Sequence, residues 1–270
     1  MVKIMEVKIV VATHKQYRMP NDAMYIPLCV GAKGRNDDCF GYAKDCDGDN
    51  ISELNPSFCE LTGLYWAWKN VDADYVGLVH YRRHFSIKKC SNDSFDNIMA
   101  YDQIKPYLGN IKLFVPQKRH YVIETLYSHY KHTHYSEHLD LTREVLMDIY
   151  PSYVNTFDSV MKKTNGYMFN MMIMEKPLLN EYCGWLYTIL FELKKRVQNT
   201  ELSSFQGRFY GRVSELIFNV WVQYQIENGK IEKSQIKEIP CIYVEKIDMK
   251  RKIKCFLQAK FLGKKYESSF

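Results

Sequence analysis

The chain of 270 residues is 46% hydrophobic and 25% charged, with 13 glycines and 8 prolines, proportions of a globular protein and not of a repetitive or disordered one. No apolar run reaches the length of a membrane span, no leader-like segment opens the chain, and the eight cysteines form no C-x-x-C pair. Zinc-ribbon and thioredoxin chemistry are therefore set aside, and scattered thiols predict a cytoplasmic protein. The net charge of +6 comes without any recognised nucleic-acid motif, so nucleic acid is not an expected partner.

Residues 7–13 (VKIVVAT) form a β-branched apolar run, a predicted buried first strand, with His14 in the loop at its carboxyl end. In open α/β sheets that edge binds ligands. A glycine- and aspartate-rich loop fills positions 31–50, and Asn55-Pro56 then starts a helix whose Phe58, Leu61, Leu64, Tyr65 and Trp68 share one face. Residues 75–79 (YVGLV) predict a second central strand that runs into His80-Tyr81-Arg82-Arg83-His84, and residues 113–115 a short third strand. Helix follows over about 121–163, broken at Pro151, and residues 167–174 (YMFNMMIM) read as a further buried strand. Helices over 178–197 and 210–226 and an edge strand at 239–244 complete an α/β chain with a mixed, mostly parallel sheet flanked by helices.

One domain over 1–245 is the simplest organisation, followed by a basic tail over 246–270. The tail carries Lys246, Lys250, Arg251, Lys252, Lys254, Lys260, Lys264 and Lys265 among Ile253, Phe256, Leu257, Phe261 and Leu262, a pattern suited to docking at an anionic membrane surface.

Two D-x-D patterns are present, but Asp72-Ala73-Asp74 precedes its strand and Asp45-Cys46-Asp47 lacks a strand leading into it. The aspartates from Asp45 to Asp49 also miss the glycine and glutamate of a calcium loop. At the strand end where an acidic metal motif would be expected stand Arg82 and Arg83, whose planar forks suit phosphate oxygens. The expectation is a site in which these arginines stabilise a leaving diphosphate, or else pair with Asp72 or Asp74 as structural partners; a divalent cation (Mn or Mg) is not excluded. Among the histidines, His129 and His132 are candidate acceptor-site residues, and His134/His138 stand at i,i+4 without the H-E-x-x-H pattern. Glu215, near Arg208 and Arg212, and Asp49 are the candidate catalytic carboxylates, with Glu60 flanking the early helix. Walker A, G-x-S-x-G and Rossmann glycine patterns are missing.

The ordered segments D-N-I-S at 49–52, NPSFCELTGLYWAWKN at 55–70, GLVHYRRHF at 77–85, YMFNMMIMEK at 167–176 and GRVSELIFNVWV at 211–222 resemble the bacterial family catalogued as domain of unknown function 4422. The resemblance spans about residues 7–245 and implies a GT-A-like glycosyltransferase of capsule, exopolysaccharide or O-antigen synthesis. It implies transfer of galactose or galactofuranose from a UDP-sugar to a lipid-linked oligosaccharide at the inner membrane face. By matching segment, the implied donor site comprises Thr13, His14, Asn50, His80, Tyr81, Arg82, Arg83, Asn170 and Met171, with Asp49 beside it and Ser214 and Glu215 on the late helix. Leu216 stands where the family pattern has Arg, one turn beyond Arg212. The rival readings are a non-catalytic carbohydrate-binding or scaffold protein, and a nucleotidyl- or phosphotransferase, which would need a magnesium-binding carboxylate pair at a strand end.

Overall fold

The computed structural model describes residues 4–88, 94–197, 202–245 and 248–268; Lys246 of the basic tail lies outside these. In chain order, the first half contains β1 (Val7–Thr13), β2 (Tyr25–Cys29), β3 (Ala43–Lys44), α1 (Asn55–Phe58), α2 (Leu61–Asn70), β4 (Tyr75–His80) and β5 (Arg83–Phe85). Next come α3 (Tyr101–Ile104), β6 (Leu113–Pro116), β7 (Arg119–His120), α4 (Leu126–Thr133), α5 (Glu137–Ile149) and α6 (Val154–Met161). The remainder is β8 (Asn165–Gly166), β9 (Met172–Glu175), α7 (Lys176–Arg196), α8 (Phe209–Glu227), β10 (Ile236–Ile239), β11 (Cys241–Tyr243) and α9 (Met249–Leu262).

The main sheet runs β10-β6-β9-β4-β1-β2-β3; β5 turns back antiparallel from β4, and β11 pairs antiparallel with β5. β1 lies parallel to both β2 and β4, while β9 is antiparallel between β4 and β6. This is the α/β architecture, mixed with a parallel centre, that the alternating apolar runs predict. Alternation explains the two cores. Val10 and Ala12 of β1 face the layer formed by α2, α7 and α8, and Ile9 and Val11 face the opposite layer with Tyr75, Val79 and Phe114. Both faces of the strand are covered, which is why it reads as a continuous β-branched run. At Gly77 the two central strands press so close that a Cβ would stand 2.8 Å from the Met172 carbonyl oxygen and from Ile173, so only glycine fits. Among the described residues no helix is long and apolar enough to cross a membrane.

Three local expectations are corrected. The helix expected from Asn55 onward breaks at Cys59, whose φ of 53° ends α1 and re-aims α2. Residues 121–125 are loop, and His134 ends α4 while His138 lies in α5, so the pair does not share a helix. The strand expected over 167–174 begins only at Met172, because Phe169 and Asn170 take left-handed backbone, with φ of 78° and 52°. That interruption shapes the site described next.

Candidate active site at the carboxyl edge of the sheet

The parallel strands β1 and β4 end at the same edge, and there a cleft of about 1360 Å³ opens. The β4–β5 return places His80 opposite Arg83 and leaves Tyr81 and Arg82 at its tip; β11 pairs Tyr243 with Arg83 and holds the return in place. Arg82 reaches Glu245 at 3.7 Å, and Lys15 holds the same carboxylate at 3.0 Å. Arg83 instead lies with its guanidinium 4.6 Å over the Phe169 ring and 5.8 Å from that of Tyr243. Among the described residues no carboxylate reaches Arg83, and its buried Nε has no hydrogen-bond partner. Of the two expected structural partners, Asp72 and Asp74, the latter accepts from the Glu6 amide at 2.8 Å. Burial, and then the charge of Arg82, push the Arg83 pKa below its ordinary value. Arg119, Arg208 and Arg212 also line the cleft. Arg208 sits at the N-cap of α8 and offers that helix end no side-chain acceptor, so the positive end of the helix adds to the cationic wall.

Against these cations stand two carboxylates. Glu215 on α8 lines the cleft, and no described side chain hydrogen-bonds its carboxylate. Burial first, and then the negative charge of Glu60, raise its pKa to about 7, against the opposing pull of Arg83, Arg212 and Arg119. Glu60 is held in place by the Asn170 amide, which donates to its Oε1 at 2.8 Å and to the Gly211 carbonyl at 2.9 Å. The left-handed turn at Phe169–Asn170 thus has three outputs. It pins Glu60 to the start of α8, lays the Phe169 ring under Arg83, and aims the Phe169 carbonyl at His80 Nε2, 2.6 Å away. Because a carbonyl only accepts, that bond places the proton on Nε2, and burial keeps the His80 pKa below its ordinary value.

On the far wall His129 and His132 share one buried carboxylate: their Nδ1 atoms lie 2.8 and 2.5 Å from Glu124. His129 lines the cleft against Tyr121, and burial lowers its pKa to about 4 despite the Glu124 bond; His132 does not line it. His134 bonds Gln206 at 3.0 Å and His138 stacks on Phe209 at 3.8 Å, so neither presents a zinc-binding pair. Among the described residues no cluster of three or more His, Cys, Asp or Glu is arranged to hold a metal ion.

The cleft brings together His14, His80, Tyr81, Arg82, Arg83, His129 and Glu215 of the expected residues. Thr13 stands behind it, its hydroxyl donating to the Lys15 carbonyl at 2.6 Å and so turning the loop that carries His14. Asn170 stands behind Glu60, and Met171 is core. Asp49 and Asn50 are not in the cleft: Asp49 accepts from Tyr65 at 3.1 Å and faces Lys69, and Asn50 donates to the carbonyls of Cys46 and Gly48. These two residues close the turn before α1. The nearby D-x-D does not fit a metal either. The Asp45 carboxylate is buried and already accepts from the amides of Gly31 and Ala32 and the hydroxyls of Ser52 and Thr62. Sequence reasoning gave no site role to Arg119, Tyr243, Glu245 or Tyr266, which reach the cleft from three separate segments and carry no local signal. Glu60 was visible only as a carboxylate beside a helix start.

A comparison with curated proteins finds no match. Among solved structures, the apo form of WbbM, described as a bifunctional glycosyltransferase, superposes with a TM-score of 0.81 at 28% identity over 89% of this chain. The chain spans about half the length of that protein, the match covering 46% of it. The profile of the domain of unknown function DUF4422 matches residues 8–227, which takes in every residue lining the cleft except the β11 arm and Tyr266; the chain belongs to that family.

Proposed function

We propose that this chain is a glycosyltransferase that moves a hexose, galactose or galactofuranose, from a UDP-sugar to a lipid-linked oligosaccharide in the synthesis of a surface polysaccharide. The observation that carries this reading is the meeting of a carboxyl poised near neutrality, Glu215, with a set of arginines at the carboxyl edge of the sheet. Sugar transfer needs both. The bond from the anomeric carbon to the diphosphate oxygen breaks, and its electron pair departs with the nucleoside diphosphate onto Arg82 and Arg83 and their neighbours. The new bond forms to the acceptor oxygen, whose proton passes to Glu215. A carboxyl with a pKa of about 7 is partly ionised at neutral pH and so takes up that proton more readily than an ordinary glutamate. His80 and Asn170 are positioning residues: one braces the turn beneath Arg83, and the other fixes Glu60 beside Glu215. The WbbM likeness supports the same class of reaction.

The test is a panel of nucleotide-sugars screened by thermal shift and by transfer or hydrolysis, each with and without EDTA. Stabilisation and turnover with a UDP-hexose are expected. Silence towards every nucleotide would instead support a scaffold role for the fold.

A further inference from the structure

A soluble protein's surface helix normally turns its apolar stripe inward. α9 does the reverse. Its inward side is Phe256, Ala259 and Lys260, with the Phe256 ring tilted against His129 at 5.5 Å between centroids and Ala259 1% exposed. Its outward side is Ile253, Leu257, Phe261 and Leu262, and Phe261 is 69% exposed. Lys250 and Lys254 border this outward groove, and the helix sequence MKRKIKCFLQAKFL has five basic residues and no acidic one. A second exposed apolar segment is tied to the helix. The loop tip Val122–Ile123, with Val122 92% exposed, is tied to α9 by Lys260 Nζ, 3.4 Å from the Ile123 carbonyl. Beyond the helix, Tyr266 returns to line the cleft, its amide donating to the Thr133 carbonyl at 3.2 Å and its carbonyl accepting from Gln206 at 2.6 Å.

We infer that α9 and the 122–123 loop together are a docking surface for an anionic lipid bilayer, which holds the histidine wall of the cleft at the membrane face. Charge decides the occupant: apolar side chains flanked by lysines without acids suit an interface of anionic headgroups over acyl chains. Exposed apolar residues on a helix and on a loop tied to it call for a partner. The inference deepens the membrane-facing part of the proposed function, since a lipid-linked acceptor would enter along the wall of His129 and Tyr266, which α9 backs through Phe256.

The experiment is co-sedimentation of the full chain with vesicles of phosphatidylglycerol and phosphatidylethanolamine, against vesicles of phosphatidylcholine alone, over a salt series. Binding to the anionic vesicles is expected, weakening as salt rises. The double substitution Leu257→Glu with Phe261→Glu should lower partitioning by tenfold or more. Lys250→Glu with Lys254→Glu should lower it by at least tenfold, given about fivefold for each basic residue at an anionic surface. All four residues are exposed, so circular dichroism and melting temperature should be unchanged, and the nucleotide response of the same samples reports separately on the transferase reading. Absence of vesicle binding by the unaltered chain would overturn the inference, as would binding indifferent to both double variants. Self-association without vesicle binding, dispersed by Leu257→Glu with Phe261→Glu in light scattering, would also overturn it and assign the patch to a second copy of the chain.

Discussion

Replacing Glu215 with glutamine removes a titrating group whose carboxyl is moved from an ordinary 4.5 to about 7, and the sign of the effect on stability follows from which state binds the proton. Between those two values the folded chain holds a proton that the unfolded chain has released, so Glu215 costs progressively more stability as pH rises through the window. A shift of this size corresponds to about 3 kcal/mol once the pH is well above 7, and to less than about 1 kcal/mol at pH near 5. Glutamine keeps the shape and carries no charge. Glu215→Gln should therefore melt within a few degrees of the unaltered chain at pH 5, and about 6–12 °C above it at pH 8.5, taking about 2–4 °C per kcal/mol for a chain of this size. Differential scanning calorimetry over that pH range measures the difference directly. The same variant should lose transfer by two orders of magnitude or more at every pH. A melting difference that does not change with pH would refute the electrostatic account of the cleft. Full activity in the variant would refute the assignment of Glu215 as the base.

Three further outcomes bear on the site. Arg83→Ala should weaken binding of UDP, measured by titration calorimetry, by about tenfold to a hundredfold, the worth of a charge-assisted bond; Arg83→Lys should recover only part, because an ammonium cannot lie flat on Phe169 or fork to a phosphate. Asp45→Ala leaves two amides and two hydroxyls without their acceptor and should cost about 3 kcal/mol or more in urea unfolding, while leaving any EDTA sensitivity of the folded protein as it was. Asn170→Ala loses both the left-handed tolerance and the link from Glu60 to Gly211, so it should unfold more readily than Asn170→Gly by about 1 kcal/mol, with both variants showing reduced turnover.

What could be read along the chain follows from the range of the forces involved. β1 and β4 were visible because a strand buried on both faces must be continuously apolar, and the turn His80–Arg83 because a strand end loaded with cations has no packing reason to exist. Residues 167–171 misled for a related reason: Tyr167, Met168 and Met171 are buried and apolar as a strand would be, yet the backbone turns left-handed at Phe169 and Asn170. Periodicity registers burial and does not register φ. That Asp49 and Asn50 lie outside the cleft could not be read either: short polar side chains serve turns and ligands alike, and their partners, Tyr65 and the Cys46 and Gly48 carbonyls, appear only in the fold. Arg119, Glu245 and Tyr266 were out of reach because nothing local marks a residue whose role is set by a contact a hundred positions away. The orientation of α9 was illegible for the same reason: its composition announces an amphipathic helix, but which face the body covers depends on α4.

The arginine cluster and the raised carboxyl are connected by sign. Burial and neighbouring like charge push Arg83 and Arg212 below the ordinary arginine range, and Glu215 above the ordinary glutamate range, in the unliganded cleft. A protein selected for stability alone would pair such groups, yet among the described residues the buried Arg83 Nε has no hydrogen-bond partner. A bound diphosphate supplies the missing negative charge, which favours the charged arginines. The same negative charge disfavours an ionised Glu215 and raises its pKa further, so donor binding should strengthen the proton affinity of the group that receives the acceptor proton. The rise of kcat/KM with pH reports on the free enzyme and should therefore bend near 7, while the rise of kcat, which reports on the donor complex, should bend at a higher pH. Coincident inflections would mean that the diphosphate lies too far from Glu215 for the two to share one cleft.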